Sequence, residues 1–276
     1  MHPIVNHLIQ LQELTLIREE QRAAARTEHL EQLNASIKAM SSQLPDAVRQ
    51  TFEKLQKRDP VAIAPVTDSR CSVCGMTVPI SLVQSIRGAR DVHNCPNCAR
   101  VLYTPEDAPR RLGQRTRITA PRKIGISRFS SQSLMVPRLA ATQRDDAIAE
   151  LALKMETEGF IDRADRLVEE ALRREAIVST AVEDGLAFPH VRSVEGGGLT
   201  LALGVSPKGI RFADETKVHM VFFMVIPTAA SAFHLKLLAG LARTFEKDEN
   251  RKTILAEAEP EKLWKALCKV TRATVK

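Results

Sequence analysis

The sequence predicts a multi-domain α+β chain: an N-terminal helical coiled coil, a small metal-stapled module, and an α/β domain with a mixed sheet flanked by helices. Three observations carry this reading. Residues 4–42 contain neither Pro nor Gly and are rich in Leu, Glu, Gln, Arg and Ala, which are good helix formers. Four of the five cysteines fall in two Cys-x2-Cys pairs. From Ile126 onward helical and strand patterns alternate, the signature of an α/β domain. A length of 276 residues suits about two domains. The expected boundaries are 1–60 for the helical part, 61–105 for the cysteine module, 106–125 for a linker and 126–276 for the α/β domain.

In the first segment, Leu30, Leu33, Ile37, Met40 and Leu44 follow the 3-4 spacing of a coiled-coil seam. Extended backwards, one seam position falls on Ala23, Leu16 and Ile9, and the other on Arg26, Glu19 and Gln12. The seam is therefore good at its C-terminal end and poor in its middle. Pro45 ends this helix or starts the next, and Asp46–Lys57 reads as a second helix with Val48, Phe52 and Leu55 on one face. A helical hairpin and a homo-oligomer through these helices would both bury that surface, as would plain helical packing.

Residues Val61–Asp68 (VAIAPVTD) read as extended, since alternation and Pro65 both disfavour helix. Cys71-x2-Cys74 and Cys95-x2-Cys98 follow, twenty residues apart. Each two-residue gap lets a pair of sulfurs reach one ion, and two such knuckles supply four thiolates at tetrahedral corners. The expected occupant is one structural Zn2+, because four protein ligands leave no open position for chemistry. Iron–sulfur ligation is the chemical competitor. His93 and Asp91 lie beside the second knuckle and read as neighbours of the site rather than ligands. The run from Pro45 to Tyr103, with VAIAPV before the first cysteine and CPNCARVLY around the last two, resembles bacterial C4-type zinc-ribbon proteins with an N-terminal coiled coil. Arg100, Leu102 and Tyr103 match that family's pattern. The resemblance implies a module that binds nucleic acid or protein and carries out no reaction.

Charge is unevenly distributed. The formal net charge is +7, yet residues 1–70 are neutral and 126–276 carry only +1. The linker TPEDAPRRLGQRTRITAPRK holds the basic excess, with no acidic residue after Asp107. A local basic patch is the single charge signal for nucleic acid, a weak one, and with 4% aromatic residues base stacking on several rings is disfavoured. Hydrophobic content of 44% and charged content of 26% exclude a disordered or fibrous chain. The longest apolar run, Val221–Pro227, is strand-sized, so no membrane insertion is expected. The first residues lack the pattern of a secretory signal, and a cytoplasmic location follows as an expectation. In such a reducing compartment disulfides are disfavoured. Cys268, in the terminal helical segment, reads as a small buried residue.

Of the seven histidines, His2, His7 and His29 read as solvated and His219 as a strand-edge packing residue. His190, in GLAFPHVRS, and His234, opening HLKLLAGLAR, differ. A neutral imidazole is nucleophilic near pH 7 and can accept a phosphoryl group with little help beyond positioning and charge stabilisation. The surrounding segments, TQRDDAIAELALKM, LVEEALRREAIVST, DGLAFPHVRS, KGIRF and VHMVFFMVIP, resemble in order the phosphotransferase-system enzyme IIA domain of the mannitol/fructose and nitrogen-regulatory type. The resemblance implies that His190 accepts the phosphoryl group, that His234 borders it, and that Arg174 offsets phosphate charge, with the adjacent Arg173 as the alternative match. Thr180 is a further pocket candidate, or simply a turn residue. Val191 and Phe188 depart from the family's small and aliphatic residues at those positions. The resemblance further implies an HPr-type phosphoryl donor and a IIB-type acceptor or a regulatory protein as partners. Two readings result. One is a cytoplasmic, regulatory phosphocarrier of the sugar transport system type. The other is a non-catalytic adaptor that binds nucleic acid or protein through ribbon, helices and linker arginines Arg110, Arg111, Arg115 and Arg117, with a degenerate IIA domain.

Overall fold

The computed structural model describes residues 2–24, 29–105, 123–194, 198–213 and 216–276. The chain divides into two compact units, Met1–Ala108 with Thr228–Leu235, and Pro109–Pro227 with Lys236–Lys276. The expected classes of structure are all present: an N-terminal helical part, a small four-cysteine sheet, and a mixed sheet flanked by helices. Most of the basic linker, residues 106–122 including Arg110, Arg111, Arg115 and Arg117, lies outside the described residues.

The first unit opens with α1 (Pro3–Ala23), α2 (Leu30–Ser42) and α3 (Asp46–Gln56). The Pro- and Gly-free stretch expected as one helix is thus two helices that pack on each other. His7 ties them, its Nε2 lying 2.8 Å from the Met40 carbonyl oxygen. Val5, Leu8 and Leu11 of α1 recur at helical spacing and bury with Leu44 and Phe52, and Ile37, Met40, Val48 and Leu55 pack against them. Of the seam residues, Leu44 is in this core and Ile9, Ile37 and Met40 pack against it.

Four short strands complete the unit: β1 (Ile63–Thr67), β2 (Arg70–Cys71), β3 (His93–Asn94) and β4 (Val101–Tyr103), with α4 (Ile80–Gly88) between β2 and β3. Their order is β2-β1-β4-β3, with β1 and β4 parallel. Strand alternation sorts the side chains. Ile63 and Val101 join the helical core, whereas Ala64, Val66 and Leu102 join the cysteines, Val78, Val83 and Ile86.

In the second unit β5 (Met135–Val136) is followed by α5 (Arg144–Thr157), α6 (Ala164–Glu175), β6 (Ala181–Val182), β7 (Leu186–Ala187), β8 (His190–Val194), β9 (Thr200–Ala213) and β10 (Thr216–Pro227). After β10 the chain forms α7 (Ser231–Phe245), whose residues to Leu235 count with the first unit, and then α8 (Asp248–Ala256) and α9 (Pro260–Thr271) of the second. The sheet runs β5-β9-β10-β7-β6, with β8 also on β10. Residues Met220–Ile226 of β10 are all buried, as a strand covered on both faces requires. Phe222 lies between Phe188, at 5.3 Å between ring centres, and Phe245, at 5.1 Å.

The KGIRF segment is part of β9. The register slips there, Val218 facing Ile210 and Met220 facing Val205. Gly209 takes φ +77°, and a Cβ on it would stand 3.0 Å from the His219 ring, so the bulge needs glycine. His219 sits in β10, an interior strand, and its Nδ1 lies 3.1 Å from the Ser206 carbonyl oxygen.

Candidate functional site

Two sites can be built from the sequence upward. The first is the end of the second unit's sheet where β10 has β7 and then β8 as parallel neighbours. Met220 and Val221 pair with Leu186 and Ala187, and Met224 pairs with His190. Between them the chain breaks step at Phe188–Pro189. Proline has no N–H for the ladder, so it fits where pairing is interrupted. Its carbonyl still accepts the Met224 N–H at 2.9 Å. The interruption delivers His190 as the first residue of the resumed strand.

The His190 imidazole is fixed by its own backbone. Nδ1 lies 3.0 Å from the Phe188 carbonyl oxygen. A carbonyl only accepts, so Nδ1 carries the proton in the neutral ring and Nε2 holds the lone pair. Nε2 is thus the atom with nucleophilic character.

Arg174 and His190 belong to elements that pack together, α6 and β8. Leu167, Ala171 and Arg174 are buried at i, i+4 and i+7 on α6, so helical periodicity alone turns Arg174 inward. A cation in the last helical turn is favoured by the carbonyl dipoles there. Its Nη1 donates to the Val178 carbonyl at 2.9 Å. Arg173 instead faces solvent and pairs with Glu169 and Glu170. Thr180 is buried, its N–H bound by Glu175 and its carbonyl accepting from Phe188 N–H. Glu175 was not singled out by the sequence; only its place on the inward face of α6, beside Arg174, could have marked it.

His234 lies in the first turn of α7, after β10 and a short 3-10 turn, Thr228–Ala230, and it is fully buried. His190 is 2% exposed. Phe188 and Val191 are buried too.

The second site is the knuckle pair of the first unit. The four sulfurs of Cys71, Cys74, Cys95 and Cys98 all lie within 4.8 Å of one another. Cys71 and Cys98 sulfurs are 3.8 Å apart, and those of Cys74 and Cys95 3.7 Å. Tetrahedral zinc with Zn–S bonds of about 2.3 Å needs sulfurs about 3.8 Å apart, so the residues fit the ion. Each knuckle closes alike: Gly75 N–H donates to the Cys71 carbonyl at 2.8 Å, and Ala99 N–H to the Cys95 carbonyl at 2.9 Å. Both take positive φ, +73° at Gly75 and +61° at Ala99. Burial pushes the Cys71 thiol up to about 12 and raises Cys95 as well. Partial burial also works against ionising Cys74, but hydrogen bonds from the Met76 backbone and the Asn97 side chain outweigh it and hold that thiol at about 6. Arg100 donates from Nε to the Val61 carbonyl at 2.7 Å and pairs with Asp59 at 3.1 Å, locking β4 beside β1. None of the five cysteines, Cys268 included, is in a disulfide.

Comparison with known proteins follows this division. The C4-type zinc ribbon domain matches residues 70–102. The "Phosphoenolpyruvate-dependent sugar phosphotransferase system, EIIA 2" family matches residues 129–270, just over half of the chain. A nitrogen regulatory protein from Bradyrhizobium diazoefficiens is 31% identical over 148 residues, covering 51% of this chain and 94% of that protein. A fructose-specific EIIABC component from Bacillus subtilis is 27% identical over 125 residues, 45% of this chain. The chain spans only 20% of that relative's length. The crystal structure of nitrogen regulatory protein IIA-Ntr from Neisseria meningitidis superposes with a TM-score of 0.46 at 25% identity, over 51% of this chain and 97% of that one. No helix among the described residues is long and apolar enough to cross a membrane. By the extent of its match, the chain belongs to the EIIA 2 family of the phosphoenolpyruvate-dependent sugar phosphotransferase system, with a C4 zinc ribbon ahead of that domain.

Proposed function

We propose that this chain is a regulatory phosphocarrier: His190 takes a phosphoryl group from an HPr-type donor and passes it to a IIB-type acceptor or signals by its charge. The observation that carries the reading is the Nδ1–H bond to the Phe188 carbonyl, which leaves Nε2 as the attacking atom. In the step, the lone pair of Nε2 forms the new N–P bond. The donor's N–P bond breaks, and its electron pair stays on the donor's ring nitrogen. Arg174 offsets the phosphoryl charge and His234 donates to a phosphoryl oxygen. His190 is 2% exposed, so a donor reaches Nε2 only after whatever covers the ring moves aside.

The fused ribbon favours regulation over transport. The four cysteines hold one structural Zn2+ that closes the knuckles, and the ribbon and N-terminal helices form a binding module of their own. The boundaries 1–60, 61–105, 106–125 and 126–276 belong to this reading.

Incubation with phosphoenolpyruvate, enzyme I and HPr should place an acid-labile phosphate on the protein. His190→Ala should abolish it, while His234→Ala and Arg174→Ala slow it roughly ten- to a hundredfold. Full labelling of the folded His190→Ala variant sinks the reading.

A further inference from the structure

We propose that Glu175 is a positioning residue for phosphoryl acceptance, fixing the place and the ring proton of His190 through Thr180 and Phe188. This rests on His190 being the acceptor.

Glu175 is the last residue of α6 and only 3% exposed. One carboxylate oxygen, Oε1, accepts the Thr180 N–H at 2.6 Å and the Ser179 hydroxyl at 2.9 Å. The other, Oε2, is buried with no hydrogen-bond partner among the described residues. A buried carboxylate with an idle oxygen is a costly way to fill space. What the residue secures is the turn between α6 and β6. Its neighbour Arg174 holds the same turn at the Val178 carbonyl.

The turn is connected to the imidazole. Thr180 accepts the Phe188 N–H at 3.2 Å, one step beyond the Ala181–Ala187 and Val182–Leu186 pairs of β6 and β7. The Phe188 carbonyl then accepts the Nδ1–H of His190 at 3.0 Å. Three successive hydrogen bonds thus run from the carboxylate to the ring. Without Glu175 the buried Thr180 N–H loses its acceptor. The start of β6 shifts, and the Phe188 carbonyl moves with it. The ring then loses the acceptor that keeps its proton on Nδ1, and in molecules with the proton on Nε2 the lone pair sits on Nδ1, the nitrogen turned to the Phe188 carbonyl, so Nε2 cannot attack. Ser179 and Thr180 act here as part of the turn.

The test uses the full chain with Glu175→Ala, Glu175→Gln and Glu175→Asp. Long-range 1H–15N correlation spectra report the His190 tautomer, circular dichroism reports the fold, and phosphoryl transfer from enzyme I and HPr reports the rate. In the parent protein His190 should be the Nδ1–H tautomer. Glu175→Ala should show mixed tautomers and lose about ten- to a hundredfold in rate at saturating HPr, with the half-saturating HPr concentration little changed. Gln keeps an acceptor oxygen and should restore the tautomer and a rate within about threefold of the parent. A folded Glu175→Ala protein with parent tautomer and rate overturns the proposal, as does a Gln variant as impaired as Ala. Should Ala not fold, Asp, which withdraws the acceptor by one methylene, decides. Loss of tautomer control supports the proposal, and parent behaviour sinks it. If the parent itself takes no phosphate, the phosphocarrier reading fails, and the tautomer comparison still settles whether Glu175 holds the ring.

Discussion

In the function proposed above, few residues make His190 a nucleophile. Pro189 removes one ladder hydrogen bond, and the ring then turns back onto the carbonyl two residues earlier. The two positions that depart from family habit, Phe188 and Val191, are both buried. Phe188 stacks on Phe222 inside the core. Those departures therefore concern packing beneath the site. The paired knuckles offer a matched test at the same scale. A Cβ on Gly75 would touch nothing within 4 Å, so Gly75→Ala is penalised by its left-handed backbone alone. The cost should be about 1 kcal/mol. Because zinc binding and folding of such a module are one equilibrium, the apparent zinc affinity should fall about fivefold in chelator competition. Ala99, at φ +61°, already bears that strain. Ala99→Gly should therefore leave affinity unchanged or raise it, by at most about fivefold. Equal losses in both variants would refute the argument.

At the scale of elements, the cysteine module was legible because coordination chemistry fixes spacing, whereas Arg174 came from the resemblance alone with Arg173 left open, and only the inward face of α6 tells the two apart. The poor seam positions of α1 were not. Gln12 occupies one, and its Oε1 accepts the N–H groups of Ala62 and Ile63 at 2.6 and 2.8 Å. A residue that looks like a flaw in a coiled coil is thus a hydrogen-bond partner for the chain entering β1, fifty residues away, which no local pattern reveals. The division into α1 and α2 was hidden too, since no Pro or Gly stands between them in the sequence. Gln12→Ala should strand two amides and cost about 1–3 kcal/mol, whereas Gln12→Glu keeps the acceptor oxygen and should cost less; urea unfolding separates the two. In the sheet, Phe222 is fully buried between two other rings. Phe222→Ala should cost about 3–5 kcal/mol and lower the urea midpoint without changing zinc content. Zinc removal should act on the other element. A metal chelator should render Cys71, Cys74, Cys95 and Cys98 reactive to a thiol reagent, leaving Cys268, whose thiol burial pushes up, as the slow one. Affinity for zinc should fall on acidification, since protons compete for the same sulfurs.

For the whole molecule, the relevant quantity is charge. The chain carries +7, while its EIIA portion from residue 126 is nearly balanced at +1. A phosphoryl group adds about −1.5 to −2 at pH 7. That portion would therefore change sign on phosphorylation, and the net charge would drop to about +5. A sign reversal confined to one portion can alter which protein surfaces it tolerates, by local electrostatics and without new packing. Isoelectric focusing after reaction with phosphoenolpyruvate, enzyme I and HPr should show a second, more acidic band. Brief acid treatment should return it to the parent position, because the N–P bond is acid-labile. His190→Ala should show one band throughout. An acidic band that survives acid would place the phosphate on a hydroxyl group and remove His190 from the account.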